Sequence, residues 1–231
     1  MAFSTEKFKQ SVSPSIHVLY EDNHCLAVVK PAGLLTMGDH SGEPTLVDAA
    51  RDYIRDKYQK PGNVFVGVVH RLDRPVSGVV LFARTSKGAS RLSEQFRVHS
   101  VEKTYLALVE GNVSQPHGQL RDRLSKDRAN NVVSVVSDQA DGQDCILSYE
   151  RLERWGRFTL LQIRPETGRS HQIRVQLSSR GWPIVGDRKY SSNVAVSGFI
   201  ALHAASLRFL HPTTKELLTV SCPFPTEWRG L

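Results

Sequence analysis

The stretch Val68-Val69-His70-Arg71-Leu72-Asp73-Arg74-Pro75-Val76-Ser77-Gly78, running on into Val79-Val80-Leu81-Phe82-Ala83, decides how this chain is read. Its second half is continuously apolar, the pattern of a strand buried on both faces and therefore central in a sheet. Its first half sets one acid, Asp73, between Arg71 and Arg74 on a short connection that holds Pro75 and Gly78. Two guanidinium groups favour the ionised carboxylate, and the proline and glycine give the connection a fixed path. On residue types alone, the same cluster also reads as a salt-bridged turn between two elements.

Working outward, Ile16–Tyr20 and Cys25–Val29 alternate like strands around the turn-forming Glu21-Asp22-Asn23, which predicts a hairpin closed by Lys30-Pro31-Ala32-Gly33. Leu46, Ala49, Ala50, Tyr53 and Ile54 recur at helical spacing after a capping-box-like Thr45 and Asp48, so a helix is predicted to about Tyr58. A second helix is predicted from Ser86 to about Arg97 and a strand over 101–111. The polar, basic piece from Pro116 to Gly142 reads as a β-excursion or an RNA-facing loop around Val132–Val136. Paired strands follow at Cys145–Leu152 and Phe158–Arg164, then a turn and short helix through Glu166–Leu177 that ends at Gly181. Phe199–Leu210 and Leu217–Ser221 supply the last strands.

With 231 residues and 40% hydrophobic content, the chain has enough apolar material for one large core, and no linker or repeat divides it. Residues 1–15 read as a flexible N-terminal arm and 16–231 as a single domain. The excess of 30 basic over 23 acidic residues, formally +7, favours a polyanionic partner, with nucleic acid first. Cys25, Cys145 and Cys222 are odd in number and widely separated, so neither a disulfide framework nor a zinc knuckle is suggested and a reducing cytoplasm fits. No apolar signal core or membrane span is visible.

Dinucleotide, Walker-type and nucleophile-elbow motifs are all missing, which removes the motif support for nucleotide-cofactor and esterase chemistry. His70, His171 and His203 lack metal-ligand spacing and read better as hydrogen-bonded structural histidines, so no metal is expected. Arg151, Arg154, Arg157, Arg164, Arg169, Arg174, Arg180, Arg188 and Lys189 crowd the C-terminal half, with Tyr105, Gln172, Trp182 and Tyr190 available beside such cations. That is the mixture that flipped or single-stranded bases require.

His70–Gly78, Thr167-Gly168-Arg169-Ser170-His171-Gln172-Ile173-Arg174, Pro183-Ile184-Val185-Gly186-Asp187 and Leu202-His203-Ala204, preceded by Lys30-Pro31-Ala32-Gly33, together resemble the RluA family of RNA pseudouridine synthases. The resemblance runs from about Val18 to the C-terminus with every motif in family order. It implies a mixed α/β (α+β) fold with a mainly antiparallel central sheet, flanking helices and a catalytic cleft. It implies an enzyme that isomerises specific uridines of structured RNA, rRNA or tRNA, without a cofactor. Asp73 matches the family's catalytic aspartate, Arg169 the arginine paired with it, and Tyr105 the tyrosine that packs on the uracil and is implicated in the final proton removal. Arg71 matches the residue that replaces the flipped nucleotide in the RNA stack, and Leu202 a residue lining the uracil pocket. With His70, Arg74, Gln172 and Arg174, these two form the expected RNA-binding and base-flipping set. A cytoplasmic monomer is expected.

Two departures stand out: Val76 where the family usually has Thr, and Ser191 where Gly often follows Tyr190. Two other readings were open to the residues. A noncatalytic RNA-binding or RNA-folding module would keep the same cleft without turnover. A nucleoside hydrolase or glycosidase would want a second carboxylate, and none has an evident partner role in the sequence.

Overall fold

The computed structural model describes residues 15–39, 41–137 and 141–231, so the expected N-terminal arm lies, apart from Ser15, outside the described residues. Strands β1 (His17–Glu21) and β2 (Cys25–Lys30) form the expected hairpin, whose turn is held by Asp22 accepting the amides of His24 and Cys25 at 2.8 and 2.6 Å. Helix α1 (Leu46–Tyr58) starts where the capping pattern placed it: the Thr45 hydroxyl accepts the Asp48 amide at 3.2 Å and donates to the Asp48 carboxylate at 2.7 Å. Strands β3 (Gly67–Val68) and β4 (Ser77–Ala83) bracket the Asp73 connection, and α2 (Ser86–Arg97) follows, capped by Thr85.

Beyond it come β5 (Glu102–Glu110), β6 (His117–Asp127), β7 (Val132–Val136), β8 (Gln143–Trp155), β9 (Phe158–Pro165), α3 (Gln172–Ser178), β10 (Leu202–Leu210) and β11 (Leu217–Ser221). Short 3-10 turns occupy Arg188–Tyr190 and Thr226–Gly230. The basic excursion is thus a β-hairpin, β6 with β7, joined edge to edge to β8. No helix among the described residues is long and apolar enough to cross a membrane.

All strands join one sheet in the order β1-β2-β4-β10-β5-β9-β8-β6-β7, with β3 added to β4 and β11 to β10. Strand β4 is continuously apolar because both of its faces are covered. Val80 and Phe82 pack with Leu46, Ala50 and Ile54 of α1, while Val79, Leu81 and Ala83 pack with Leu92 of α2 and with Phe209 and Val220. Most neighbours are antiparallel, but β4 and β10 run parallel, pairing Ser77 with His203 and Gly78 with Ala204. Gly78 is required there: its φ is +124°, and a Cβ would sit 2.3 Å from the Ala204 carbonyl oxygen.

The parallel pair is what positions the cleft. Parallel strands start at the same end, so the connection carrying Asp73 and the N-terminus of β10, Leu202, meet at one edge of the sheet. Antiparallel pairing of β10 with β5 places Tyr105 opposite Ala204 beside them.

Candidate active site

A cleft of about 360 Å³ opens over that edge, lined by Asp73, Arg71, Tyr105, Arg169, His171, Arg174 and Leu202, among others. The connection bearing Asp73 is latched to the loop after β2. The Gly33 amide donates to the Arg74 carbonyl at 2.8 Å, and the Thr36 hydroxyl bonds the Leu72 backbone on both sides, at 3.0 and 3.2 Å. Beneath them Lys30, fully buried, gives its ammonium to the carbonyls of Pro31, Leu34 and Arg74 at 2.9, 2.7 and 3.0 Å. Burial lowers its pKa to about 7 against the attraction of the Asp73 carboxylate. Val76 is buried in the main core, and its amide closes the turn on the Asp73 carbonyl at 3.0 Å, so this position packs through its branched apolar body.

The arginine that meets Asp73 is Arg174, not Arg169. Its Nη1 lies 2.9 Å from Asp73 Oδ2, while Nε and Nη2 clamp the buried Asp187 at 2.7 and 2.8 Å. Arg169 stands at the end of the loop before α3, lines the cleft and gives its backbone amide to Gln172 Oε1 at 3.1 Å. Helix α3 is buried on every side, so each of its polar side chains has internal work. Gln172 spans the Thr167 hydroxyl and the Ile146 carbonyl, Gln176 reaches Asp122, and Arg174 bridges two aspartates. Gln172, expected to contact RNA, lines the cleft and spends its amide on these internal bonds.

The other expected RNA contacts divide. Arg71 is exposed at the rim of the cleft, and Leu202 is buried in its wall. Arg74 is turned onto the protein, forking onto Glu43 at 3.0 and 2.6 Å and donating to the Gly33 carbonyl at 3.0 Å. His70 stacks on Phe96 with ring centres 4.5 Å apart and accepts the Leu81 amide on Nε2 at 2.9 Å. It is a structural residue, because an unprotonated nitrogen is needed there and burial lowers its pKa to about 3.

Tyr105 stands against Asp73 with its pKa raised, by burial first and then by the aspartate's charge. It is a protonated phenol at neutral pH. The cleft lining adds Lys103 to Arg71, Arg169 and Arg174, so among the described residues its charge is cationic around a single carboxylate, with a neutral His99 beside them.

Sequence reasoning missed three side chains behind this group. Asp187, from the Gly186-Asp187 motif, is the second carboxylate that a hydrolase reading would need, but both of its oxygens are spent on Arg174 and it is buried away from water. His171, expected as a structural histidine, brings Nε2 to 3.6 Å from Asp73 Oδ2. Tyr190 meets His171 Nδ1 at 2.6 Å and lies under the Arg174 guanidinium, 4.9 Å from its ring centre. The signal available in the sequence was Arg174 itself: a cation between Ile173 and Val175 in a buried helix must be paired. Ser191, the second departure, holds φ at +70°, the left-handed backbone that glycine adopts most cheaply, at a cost of about 1 kcal/mol.

His203 is likewise structural, with Nδ1 on the Ser77 hydroxyl at 2.8 Å and Nε2 beside Cys222. Asp22, Cys25 and His211 bring ligand atoms within 4.8 Å of one another. There the His211 Nδ1 accepts the Thr214 amide at 2.9 Å, which leaves the proton on Nε2 facing Asp22, and burial pushes the Cys25 thiol up to about 12. Protonated donors of that kind fit a hydrogen-bonded corner, not a cation.

The buried histidines carry a pH prediction. Burial lowers His70 to about 3 and His203 to about 4, from an ordinary 6.5. The unfolded chain therefore takes up protons that the fold refuses, so their contribution is intact above pH 6.5 and is lost progressively as pH falls toward 4. Between pH 7 and 5.5 the two together should remove about 2 to 3 kcal/mol, a drop in Tm of about 5 to 10 °C. Thermal melts across that range check it. A flat profile would mean that both rings take up protons in the fold as readily as in the unfolded chain.

The sequence model of a family described as RNA pseudouridylate synthase matches residues 24–179. An RNA pseudouridine synthase of Bacillus subtilis described as uncharacterized is 33% identical over 219 residues, covering 94% of this chain and 71% of that protein. The dual-specificity RNA pseudouridine synthase RluA of Vibrio cholerae is 38% identical over 220 residues, covering 93% and 86%. Among solved structures, human RNA pseudouridylate synthase domain containing 4 superposes with a TM-score of 0.77 at 23% identity, covering 92% of this chain and 90% of that one, which is a likeness of fold.

Proposed function

The chain belongs to the RNA pseudouridylate synthase family, in its RluA branch, and is an isomerase acting on RNA; from that premise we propose that Asp73 is its nucleophile and that the cleft receives one uridine flipped from a folded rRNA or tRNA. The observation that carries this is the setting of Asp73: one carboxylate in a cationic cleft, bridged by Arg174, facing Tyr105 and Leu202. A guanidinium at 2.9 Å sets a positive charge directly against that carboxylate, in a cleft where bound substrate thins out the water.

The isomerisation balances without an outside reagent. The N1–C1′ bond breaks, a C5–C1′ bond forms, C5 loses a proton and N1 gains one. Asp73 serves whether it adds to the uracil ring, attacks the sugar or takes a sugar proton. The raised pKa of Tyr105 supports a role as a protonated platform for the uracil over a role as the base at C5. The exposure of Arg71 at the mouth supports its filling the gap left in the RNA stack, and the positions of Arg169 and Lys103 in the cleft lining support their taking up phosphate charge. The protein works as a cytoplasmic monomer without metal or cofactor. The relatives' names cover tRNA, large-subunit rRNA and dual specificity, so the RNA class is a question for experiment.

Incubation with transcribed tRNA and rRNA should convert a defined uridine to pseudouridine without releasing uracil. Free uracil as the main product would overturn the isomerase reading. Comparing pseudouridine maps of cellular RNA with and without the protein then identifies the site. Arg71→Ala should lower kcat/KM on folded RNA about 10- to 100-fold, the scale of an unstacking cost of a few kcal/mol, with Tm unchanged because the side chain is exposed. A Tm loss with intact turnover would assign Arg71 to folding instead.

A further inference from the structure

The two oxygens of Asp73 are not equivalent. Arg174 Nη1 at 2.9 Å and His171 Nε2 at 3.6 Å both address Oδ2, and among the described residues no hydrogen bond or ion pair falls on Oδ1. We propose that His171, oriented by Tyr190, is a positioning residue that with Arg174 fixes Asp73 through Oδ2, so that Oδ1 is the oxygen presented to the uridine. This rests on the reading of Asp73 as the nucleophile.

The hydrogen-bond directions determine what His171 offers. The Val133 amide donates to the Tyr190 oxygen at 3.1 Å, which leaves the phenol's single hydrogen for His171 Nδ1 at 2.6 Å. Nδ1 is then an acceptor, and the imidazole proton sits on Nε2, facing the carboxylate. The opposite tautomer would aim a lone pair at Asp73 and repel it. Tyr190 is itself held at three points: by the β7 amide, by the Ser178 hydroxyl donating to its carbonyl at 2.8 Å, and by the Arg174 guanidinium over its ring. The pair is therefore fixed from the β6–β7 hairpin, α3 and the 3-10 turn together.

The backbone points the same way. His171 holds φ at +53°, left-handed for a residue with a β-carbon, at the residue preceding the first turn of α3. Such a conformation costs about 1 kcal/mol or more and persists where surrounding contacts demand it. The imidazole is almost wholly buried, at 8% exposure, so it does not compete for RNA. At 3.6 Å the Nε2 contact is longer than a hydrogen bond, and contacts of this kind tighten when substrate fills the site.

Single-turnover kinetics on a substrate RNA test this, with wild-type and Asp73→Asn protein measured alongside. His171→Leu should slow the chemical step about tenfold or more while RNA affinity stays unchanged, the scale of a lost hydrogen bond to a charged group. His171→Gln, whose amide nitrogen reaches about as far as Nε2, should recover most of that loss. Tyr190→Phe removes the hydrogen that selects the tautomer and should slow the step without altering affinity, and it carries the test alone if His171→Leu does not fold. Wild-type rates in the folded His171→Leu protein, or a loss confined to RNA affinity, would overturn the proposal. So would a His171→Gln protein as slow as His171→Leu. A wild-type protein that makes no pseudouridine at all would instead sink the reading beneath it.

Discussion

Asp73→Asn should leave a folded, RNA-binding protein whose pseudouridine formation is more than about a thousandfold slower than wild type, the scale seen when a nucleophile is removed from an assembled site. The substitution keeps the shape of the side chain, and its amide oxygen can still accept from Arg174. Arg174 in turn retains its two bonds to Asp187. The latch that holds the connection runs through the backbone of Leu72 and Arg74 and does not involve the carboxylate. Tm should therefore change little. Loss of a negative charge in a cationic cleft should hold RNA affinity constant or raise it, more so at low salt. Measuring binding and single-turnover conversion on the same RNA separates the outcomes. Conversion within tenfold of wild type would remove Asp73 from the chemistry, and loss of binding would make it a structural residue of the loop.

How much of this was legible beforehand follows from where the physics is local. Strand β4 announced itself because both faces are buried, and α1 because Thr45 and Asp48 close a cap within one turn. Asp73 was legible for a similar reason: a lone acid among arginines on a proline-bearing connection asks for a chemical explanation. Its partner was not. Arg169 and Arg174 flank the start of α3, and which of them faces Asp73 depends on the left-handed turn at His171, which no sequence periodicity encodes. The helix is only seven residues long and buried all round, so it has no amphipathic stripe to assign its faces. The internal bonds of His70 and Gln172 were not legible, because polar residues in a motif look alike whether they face a ligand or satisfy a backbone group. Here they bond the Leu81 amide and the Ile146 carbonyl. Nor was the fork of Arg74 on Glu43 legible, since the two are remote in sequence.

The largest stability effect should come from Asp187, which touches no substrate. Asp187→Asn leaves Arg174 buried with one anionic partner, Asp73, in place of two, and replaces a bidentate clamp by a single amide oxygen. Breaking a buried pair in this way costs about 3 to 5 kcal/mol, because the remaining charge is left uncompensated in a low-dielectric interior. In a domain of this size that is a fall in Tm of about 6 to 20 °C. Turnover should fall as well, since the guanidinium is then held by Asp73 alone and its aim on Oδ2 is no longer fixed from behind. The two effects separate in the double variant Arg174→Met with Asp187→Leu, which replaces the buried charges by apolar groups of similar volume. Such replacements are often neutral or stabilising, so thermal stability should return toward wild type while conversion stays low. If Asp187→Asn melts like wild type, the clamp contributes nothing net to the fold. If the apolar double variant regains activity with its stability, Arg174 serves only to hold the helix in place, and Asp73 needs no cation beside it.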